Sequence, residues 1–583
     1  SEFNMEMEKK NIAIIILAVV LAASGIGNVI LALNLGLIEL EPEEKNVLVF
    51  LTPEGPAVMD PVDTWDYYSF DVQLQVLEGL VNYNLSNHPT YEIIPSLATS
   101  WGWNGPKDSI WFDLRRGVTF HDGAPFNAEA VKWNFDRLMF FLNWSGDLVA
   151  NETTWTAFPA SLYFDSAGTT PIINNTVVNS EYNVTVNLNF PFVMFLDLIT
   201  FEATTMLSPA STLKHQYLDL TTDLLVGTGP YVYDSYTTDV EVRLHRYEDY
   251  WNTLPYFEEV VFSIIDDGVA RNIAALAREG DIISGVMPEM LQTFNDSIYH
   301  TVFQLSESDL LYYYIEFNCV KLNVTWRRAL STAINYTYAI EEIFYPAVRA
   351  PPAVPAGMPG HNASVVLITM NVTKAREIMQ SMGFGVGWDT TYPGTNEADW
   401  SAATFATDAF NSSLNLNLHS GWTSNQRMNV LLALDYDRIG VDTDETIREW
   451  AEYLDVGENR PEEMDTSLVG WGPDYLDAFN MLDPLLNNAS ASNFAQLNDP
   501  FLLGMLAEAA ITADALARQQ IYMKIQSYLF DARLPDRFGA YPHAPLIAGT
   551  AIDVHDVTLK GVAYNVLGRF WVYPMYKGNQ SVV

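Results

Sequence analysis

His121 and Asp122 stand side by side, a pairing that in an enzyme could relay a proton. The rest of the chain does not supply the partners such chemistry needs. Its nine histidines include no H-E-x-x-H pattern for a zinc hydrolase. There is no G-x-S-x-G nucleophile elbow and no glycine-rich phosphate loop closed by a lysine. Carboxylate pairs of the glycosidase kind cannot be singled out among 72 acidic residues. The single cysteine, Cys319, permits neither an internal disulfide nor a multi-cysteine metal site. The residues point to binding rather than catalysis, with no cofactor and no metal.

Composition narrows the partners. The 583 residues are 49% apolar and 17% charged, enough for several lobes with sizeable cores. With 72 acidic against 30 basic residues the net charge is −42. Such a surface repels nucleic acid and anionic lipid, and it suits an exposed, soluble body.

The elements that would position a site are legible in places. Asn46–Thr52 reads as a buried strand. Ile110–Leu114 and Val118–Phe120 read as short strands around the turn Arg115-Arg116-Gly117, and Asn127 as the cap of a following helix. Phe257–Ile265 alternates as a strand, and Val269–Ala277 reads as a short helix. Tyr312–Phe317 and Asn415–His419 read as strands. A helix from Gln426 places Met428, Leu431, Leu432 and Ile439 on one core face.

Several words in this order carry a resemblance. They are Ala98-Thr99-Ser100-Trp101, Leu114 to Val118, Phe120 to Phe126 (FHDGAPF) and Arg137. Further along come Gly227-Thr228-Gly229-Pro230-Tyr231, Arg243–Trp251 (RLHRYEDYW), Trp326 to Leu330 and Arg518–Leu529. Met59-Asp60-Pro61 and Val76 to Leu80 stand at matching spacing. The chain resembles the family 5 extracellular solute-binding proteins, the peptide-binding class of ABC importers, from about residue 46 to 575. In that family the His121-Asp122 word is a structural turn.

The resemblance implies an α/β, two-lobed periplasmic-binding-protein-like fold of type II, with an extra subdomain. Its parts would be residues 46–84, 206–311 and 535–583 for lobe I, 85–205 for the inserted subdomain and 312–534 for lobe II. The chain would cross between lobes near Tyr312 and near Pro535, with Pro542–Leu546 as the strand returning to lobe I. The permease and the ATPase subunits would be separate chains.

The resemblance also implies a site. In peptide-binding members an aspartate three residues after a tryptophan, at a strand end, receives the α-ammonium of the bound peptide. Trp471 and Asp474, in Gly470–Asp477 (GWGPDYLD), stand at that spacing. A desolvated ammonium needs a carboxylate partner. The alternative is that Asp474 caps the turn after Pro473. Trp471 and Tyr475 either line side-chain pockets or fill core. Some dipeptide-binding members place an arginine after the strand equivalent to Asn415–His419, where this chain has His419 to Thr423 (HSGWT). That departure favours longer peptides, or a different ligand. His419 and Trp422 are the contacts this stretch offers, the tryptophan by stacking on a sugar or an apolar side chain. An oligosaccharide is the alternative ligand, and a structural surface glycoprotein or filament subunit the alternative class.

The N-terminal segment bears on location. Ser1-Glu2-Phe3 reads as a cloning remnant, and residues 1–10 as a cytoplasmic start. Residues 11–38 carry no charge, and Ile12 to Leu33 would span roughly 33 Å as a helix at about 1.5 Å per residue. Lys9 and Lys10 before it, and four glutamates from Glu39 to Glu44 after it, place the body outside. The segment is a retained anchor, a cleaved signal, or a pilin-like packing helix. N-x-[ST] sequons stand at Asn84, Asn143, Asn151, Asn174, Asn183, Asn295, Asn323, Asn335, Asn362, Asn371, Asn411, Asn488 and Asn579. Either the surface is heavily glycosylated, or an Asn- and Thr-rich chain gives chance matches. Bacterial members often carry a lipid-anchor cysteine, whereas Cys319 lies far from the N-terminus. With the sequons this points to an archaeal cell surface.

Overall fold

The computed structural model describes residues 46–578, apart from 65, 85–91, 106, 142–161, 166–168, 305–309, 407–412, 420–422, 550–551, 563–566 and 568–569. The N-terminal apolar segment lies outside these residues. Among the described residues no helix is long and apolar enough to cross a membrane.

Lobe I is built on a seven-stranded mixed sheet. Its order is His300–Gln304, Ile552–Asp556, Ile282–Ile283, Val47–Thr52, Glu259–Ile264, Glu241–Arg246 and Tyr231–Thr237. Val47–Thr52 is the strand expected of NVLVFLT, and it runs parallel to both its neighbours. Lobe II is built on a six-stranded sheet, in the order Val348–Arg349, His543–Ala548, Tyr312–Phe317, Thr466–Trp471, Leu414–His419 and Thr443–Arg448. Alternation along the strands divides its core. Ile315, Phe317 and Leu468 pack under the helices Val324–Ala333, Val372–Ser381 and Thr423–Asp437, the last with Met428, Leu431 and Leu432 buried and Ile439 buried just beyond its end. Tyr312, Tyr314 and Val469 face the helices Phe479–Leu486 and Ala515–Phe530.

A four-stranded antiparallel sheet of Ala98–Asn104, Ser109–Leu114, Asn183–Leu188 and Ile173–Ser180 forms a third layer, covered by the helix Ala128–Phe141. Asn127 caps that helix, its Oδ1 accepting from the main-chain N–H groups of Glu129 and Ala130 at 3.1 Å.

Two expectations are corrected. Val118–Phe120 is not a strand: Phe126 N donates to Val118 O at 3.0 Å and Gly123 N to Phe120 O at 2.8 Å. This tight loop leaves one isolated bridge, Thr119 to Pro125. The strand expected to return to lobe I instead pairs, as His543–Ala548, with Tyr312–Phe317 and Val348–Arg349 of lobe II. Its residues are all buried, so it serves as a central strand where sequence alone suggested an exit. Lobe I regains the chain at Ile552–Asp556.

Distant words of the sequence meet in three polar knots. Arg137 Nη1 donates to Asp60 Oδ1 at 2.9 Å and Nη2 to Oδ2, with both side chains at most 1% exposed. Glu78 accepts from Thr228 Oγ1 at 2.8 Å, Trp251 Nε1 at 2.8 Å and Tyr250 Oη at 2.9 Å. This joins Val76-Leu77-Glu78-Gly79-Leu80 to the two words around residues 228 and 250. His121 accepts at Nδ1 from Gly227 N at 3.3 Å, so Nε2 carries the proton and donates to Gly229 O at 2.9 Å. Asp122 accepts from Ser208, Ser211 and Ala124 N. The two residues hold loops, and burial pushes the His121 ring down to about 4. Gly227 and Gly229 are required by close approach. A Cβ at Gly227 would lie 2.1 Å from Val76 O, and one at Gly229 2.7 Å from Gln75 O.

Candidate functional site

Thr466–Trp471 lies between Tyr312–Phe317 and Leu414–His419, and so delivers residues 471–478 to one end of the lobe II sheet. Asp474 is 3% exposed and Trp471 half-buried. One residue that the spacing did not single out organises both. Asn480, in the first turn of Phe479–Leu486, accepts from Asp474 N through Oδ1 at 2.7 Å. Its Nδ2 donates to Asp474 Oδ2 at 3.1 Å, and its main-chain carbonyl accepts from Trp471 Nε1 at 3.0 Å. The Asn480 amide orients the Asp474 carboxylate.

Tyr475 is 4% exposed and belongs to the apolar core. Its hydroxyl is held well above the ordinary tyrosine range, first by burial and then by Asp477, Asp483, Asp197 and Asp474. Tyr163, fully buried, is raised likewise, with Glu202 and Asp474 among the causes. Carboxylates therefore converge on the Asp474 region from both lobes. Arg518 is the cation among them, and it is committed to Asp477, with Nη2 to Oδ2 at 3.0 Å and Nε to Oδ2 at 3.2 Å. Tyr522 Oη donates to Asp477 Oδ1 at 2.6 Å. In such a field a buried ammonium is stabilised and a buried anion is not.

The lobes meet here. Leu476 N donates to Tyr83 Oη at 3.0 Å, and Tyr83 Oη donates to Asp197 Oδ1 at 3.1 Å. Phe192 and Phe479 pack edge to face with centroids 6.2 Å apart. A Cβ on Gly472 would stand 3.1 Å from Tyr67 Oη, so the chain passes close to lobe I without a side chain. On the lobe I side a cavity of about 160 Å³ is bounded by Glu78, Tyr83, Glu202, Trp251 and Trp571, among others.

The other candidates fare differently. His419 is buried, its Nε2 3.2 Å from Asn425 Nδ2 and its ring edge-on to Tyr453 at 5.8 Å. It is engaged in lobe II packing. Trp422 lies outside the described residues. Of the sequons, Asn174, Asn295, Asn323, Asn371 and Asn488 are exposed, and Asn84, Asn183 and Asn335 half-buried. Asn362 is corrected as a glycan site. It is 3% exposed, and its Nδ2 donates at 2.9 Å to Met523 O and to Ser527 Oγ, leaving no room for a sugar. Asn143, Asn151, Asn411 and Asn579 lie outside the described residues. No group of three or more metal-ligating side chains occurs among the described residues.

Residues 92–493 match the middle part of the bacterial extracellular solute-binding proteins, family 5. Heme-binding protein A of Haemophilus influenzae is 24% identical over 504 residues, covering 84% of this chain and 86% of the relative. The dipeptide-binding protein of Escherichia coli is 24% identical over 505 residues, covering 82% and 86%. Among solved structures, the periplasmic binding protein DppA of Helicobacter pylori in complex with the peptide STSA superposes with a TM-score of 0.71. It does so at 22% identity, over 91% of this chain and 98% of that one.

Proposed function

The chain belongs to family 5 of the bacterial extracellular solute-binding proteins, and on that premise we propose that it captures peptides outside the cell and hands them to an ABC permease. The bound peptide places its α-ammonium on Asp474. The observation that carries this reading is the buried Asp474 carboxylate, oriented by Asn480 at the meeting of the lobes. Removing one partner of such a buried pair costs roughly 3–5 kcal/mol.

Capture works by closure. An open form admits the peptide, and contacts made to both lobes favour the closed form through differential affinity. An extended peptide can pair its main chain with the half-buried end of the Thr466–Trp471 strand, as in strand addition. Trp471, half-buried and fixed through its indole N–H, supplies an apolar wall for the first side chain. Such contacts hold many peptides without selecting one. The oligosaccharide alternative is not favoured, because a converging carboxylate field suits an amine better than a neutral sugar.

The location is extracellular. Residues 11–38 serve in this reading as a membrane anchor, and the exposed asparagines Asn174, Asn295, Asn323, Asn371 and Asn488 as glycan acceptors. Native mass spectrometry of the ectodomain, purified without denaturation, tests the function. Co-purified peptides that vanish in Asp474→Ala support it. A hexose ladder unaffected by that change replaces it with the sugar reading.

A further inference from the structure

Where the two lobes meet, ionisable groups far apart in the chain stand together. Tyr83 from lobe I stands between Asp197, at the end of the inserted subdomain, and the main chain of Leu476, two residues past Asp474. Asp197 lies in the short helix Phe195–Leu198 and is half-buried. The groups that face it are Tyr83 from its own lobe, Tyr475 and Asp477 from the loop after Thr466–Trp471, and Arg518 from Ala515–Phe530. Tyr522, on that same helix, bonds Asp477 from the other side. Arg518 is paired with Asp477, and its pull on Asp197 is outweighed there by burial and by Asp477.

We propose that Tyr83 and Asp197 form a proton-linked latch, in which closure of the cleft takes up one proton on Asp197 and opening releases it. The hydrogen-bond arithmetic allows it. Tyr83 Oη keeps donating to Oδ1 of Asp197 while the acid proton sits on Oδ2, and it keeps accepting from Leu476 N. Protonation removes the repulsion between Asp197 and Asp477 and leaves the bridge intact.

The sign follows from the environment. Desolvation, then Asp477, raises the Asp197 carboxyl from 3.8 to about 7 in this lobe-to-lobe contact. In an open cleft the same carboxyl is returned to water and to its ordinary value. Between those two values the closed form holds a proton that the open form lacks. Closing is therefore favoured as pH falls through about 7 and disfavoured as it rises. Each unit of difference is a tenfold change in the closing constant. The latch lies beside the ligand residue, so ligand retention is stronger in mildly acidic medium and weaker at and above neutrality.

This inference uses the closure step of the proposed function, but its test needs no ligand. Hydrogen exchange of the Leu476 amide, read in the ligand-free protein and corrected for intrinsic rate, reports the Tyr83 bridge directly. The wild-type protection factor is expected to be at least tenfold higher at pH 5 than at pH 8. Asp197→Asn, neutral at both values, is expected to show no such dependence. Tyr83→Phe is expected to lower protection at both. A wild-type protection factor that is flat between pH 5 and pH 8, or an Asp197→Asn protein that keeps the wild-type dependence, overturns the latch. Either result leaves peptide capture at Asp474 standing.

Discussion

Asn480 grips Asp474 at both its main chain and its carboxylate, with Oδ1 2.7 Å from Asp474 N and Nδ2 3.1 Å from Asp474 Oδ2. Asn480 thus fixes both the main chain and the carboxylate orientation of Asp474. Truncation in Asn480→Ala leaves the buried Asp474 N–H unsatisfied, at about 1–3 kcal/mol of stability. Thermal denaturation will show that loss. Titration calorimetry will show peptide affinity falling by about tenfold or more, since one carboxylate orientation is no longer held. Unchanged affinity would remove Asn480 from the site.

Glu78 supplies a pH dependence of stability. Burial pushes its carboxyl up from 4.5 to about 7, against the donors Trp251, Thr228 and Tyr250. The folded chain therefore binds this proton more tightly than the unfolded chain. The contribution to stability is fully present below pH 4.5 and is lost progressively as pH rises to about 7. Because Glu78 borders a cavity, the expected size is about 1–2 kcal/mol. Melting temperature against pH, for wild type and Glu78→Gln, will differ in slope across that window if the account holds, and will run parallel if it does not.

Much of this was legible in the sequence, and the limits have physical causes. Strands with alternating or continuous apolar patterns were readable within a residue or two, as Val47–Thr52 and Tyr312–Phe317 illustrate. The sheet to which His543–Ala548 belongs was not readable, since a fully buried strand looks the same in either lobe. Asp474 and Trp471 were singled out through a motif. Asn480 was missed because an asparagine six residues after the aspartate carries no periodic or compositional signal. Tyr83 and Asp197 are 114 residues apart, and only the tertiary fold joins them.

The Asp60–Arg137 pair anchors the inserted subdomain's helix to lobe I, and both side chains are almost fully buried. Arg137→Met leaves an uncompensated buried carboxylate, expected to cost roughly 3–5 kcal/mol. Chemical denaturation measures this. A loss below 1 kcal/mol would mean that water or a neighbouring group takes over the charge.

Glycan mapping by mass spectrometry on natively produced protein separates exposed from buried sequons. Occupancy is expected among Asn174, Asn295, Asn323, Asn371 and Asn488 and is excluded at Asn362 in the folded chain. Sugar on Asn362 would contradict the packing of that asparagine against Ala515–Phe530.

The most direct test of the central claim compares one peptide, eluted from the purified protein, with its N-acetylated form by titration calorimetry, on wild type and Asp474→Ala. If Asp474 receives the α-ammonium, acetylation and the substitution each weaken binding by about 100-fold or more, and together they cost little beyond either alone. Equal affinity for the acetylated and free peptides on the wild-type protein would contradict the claim.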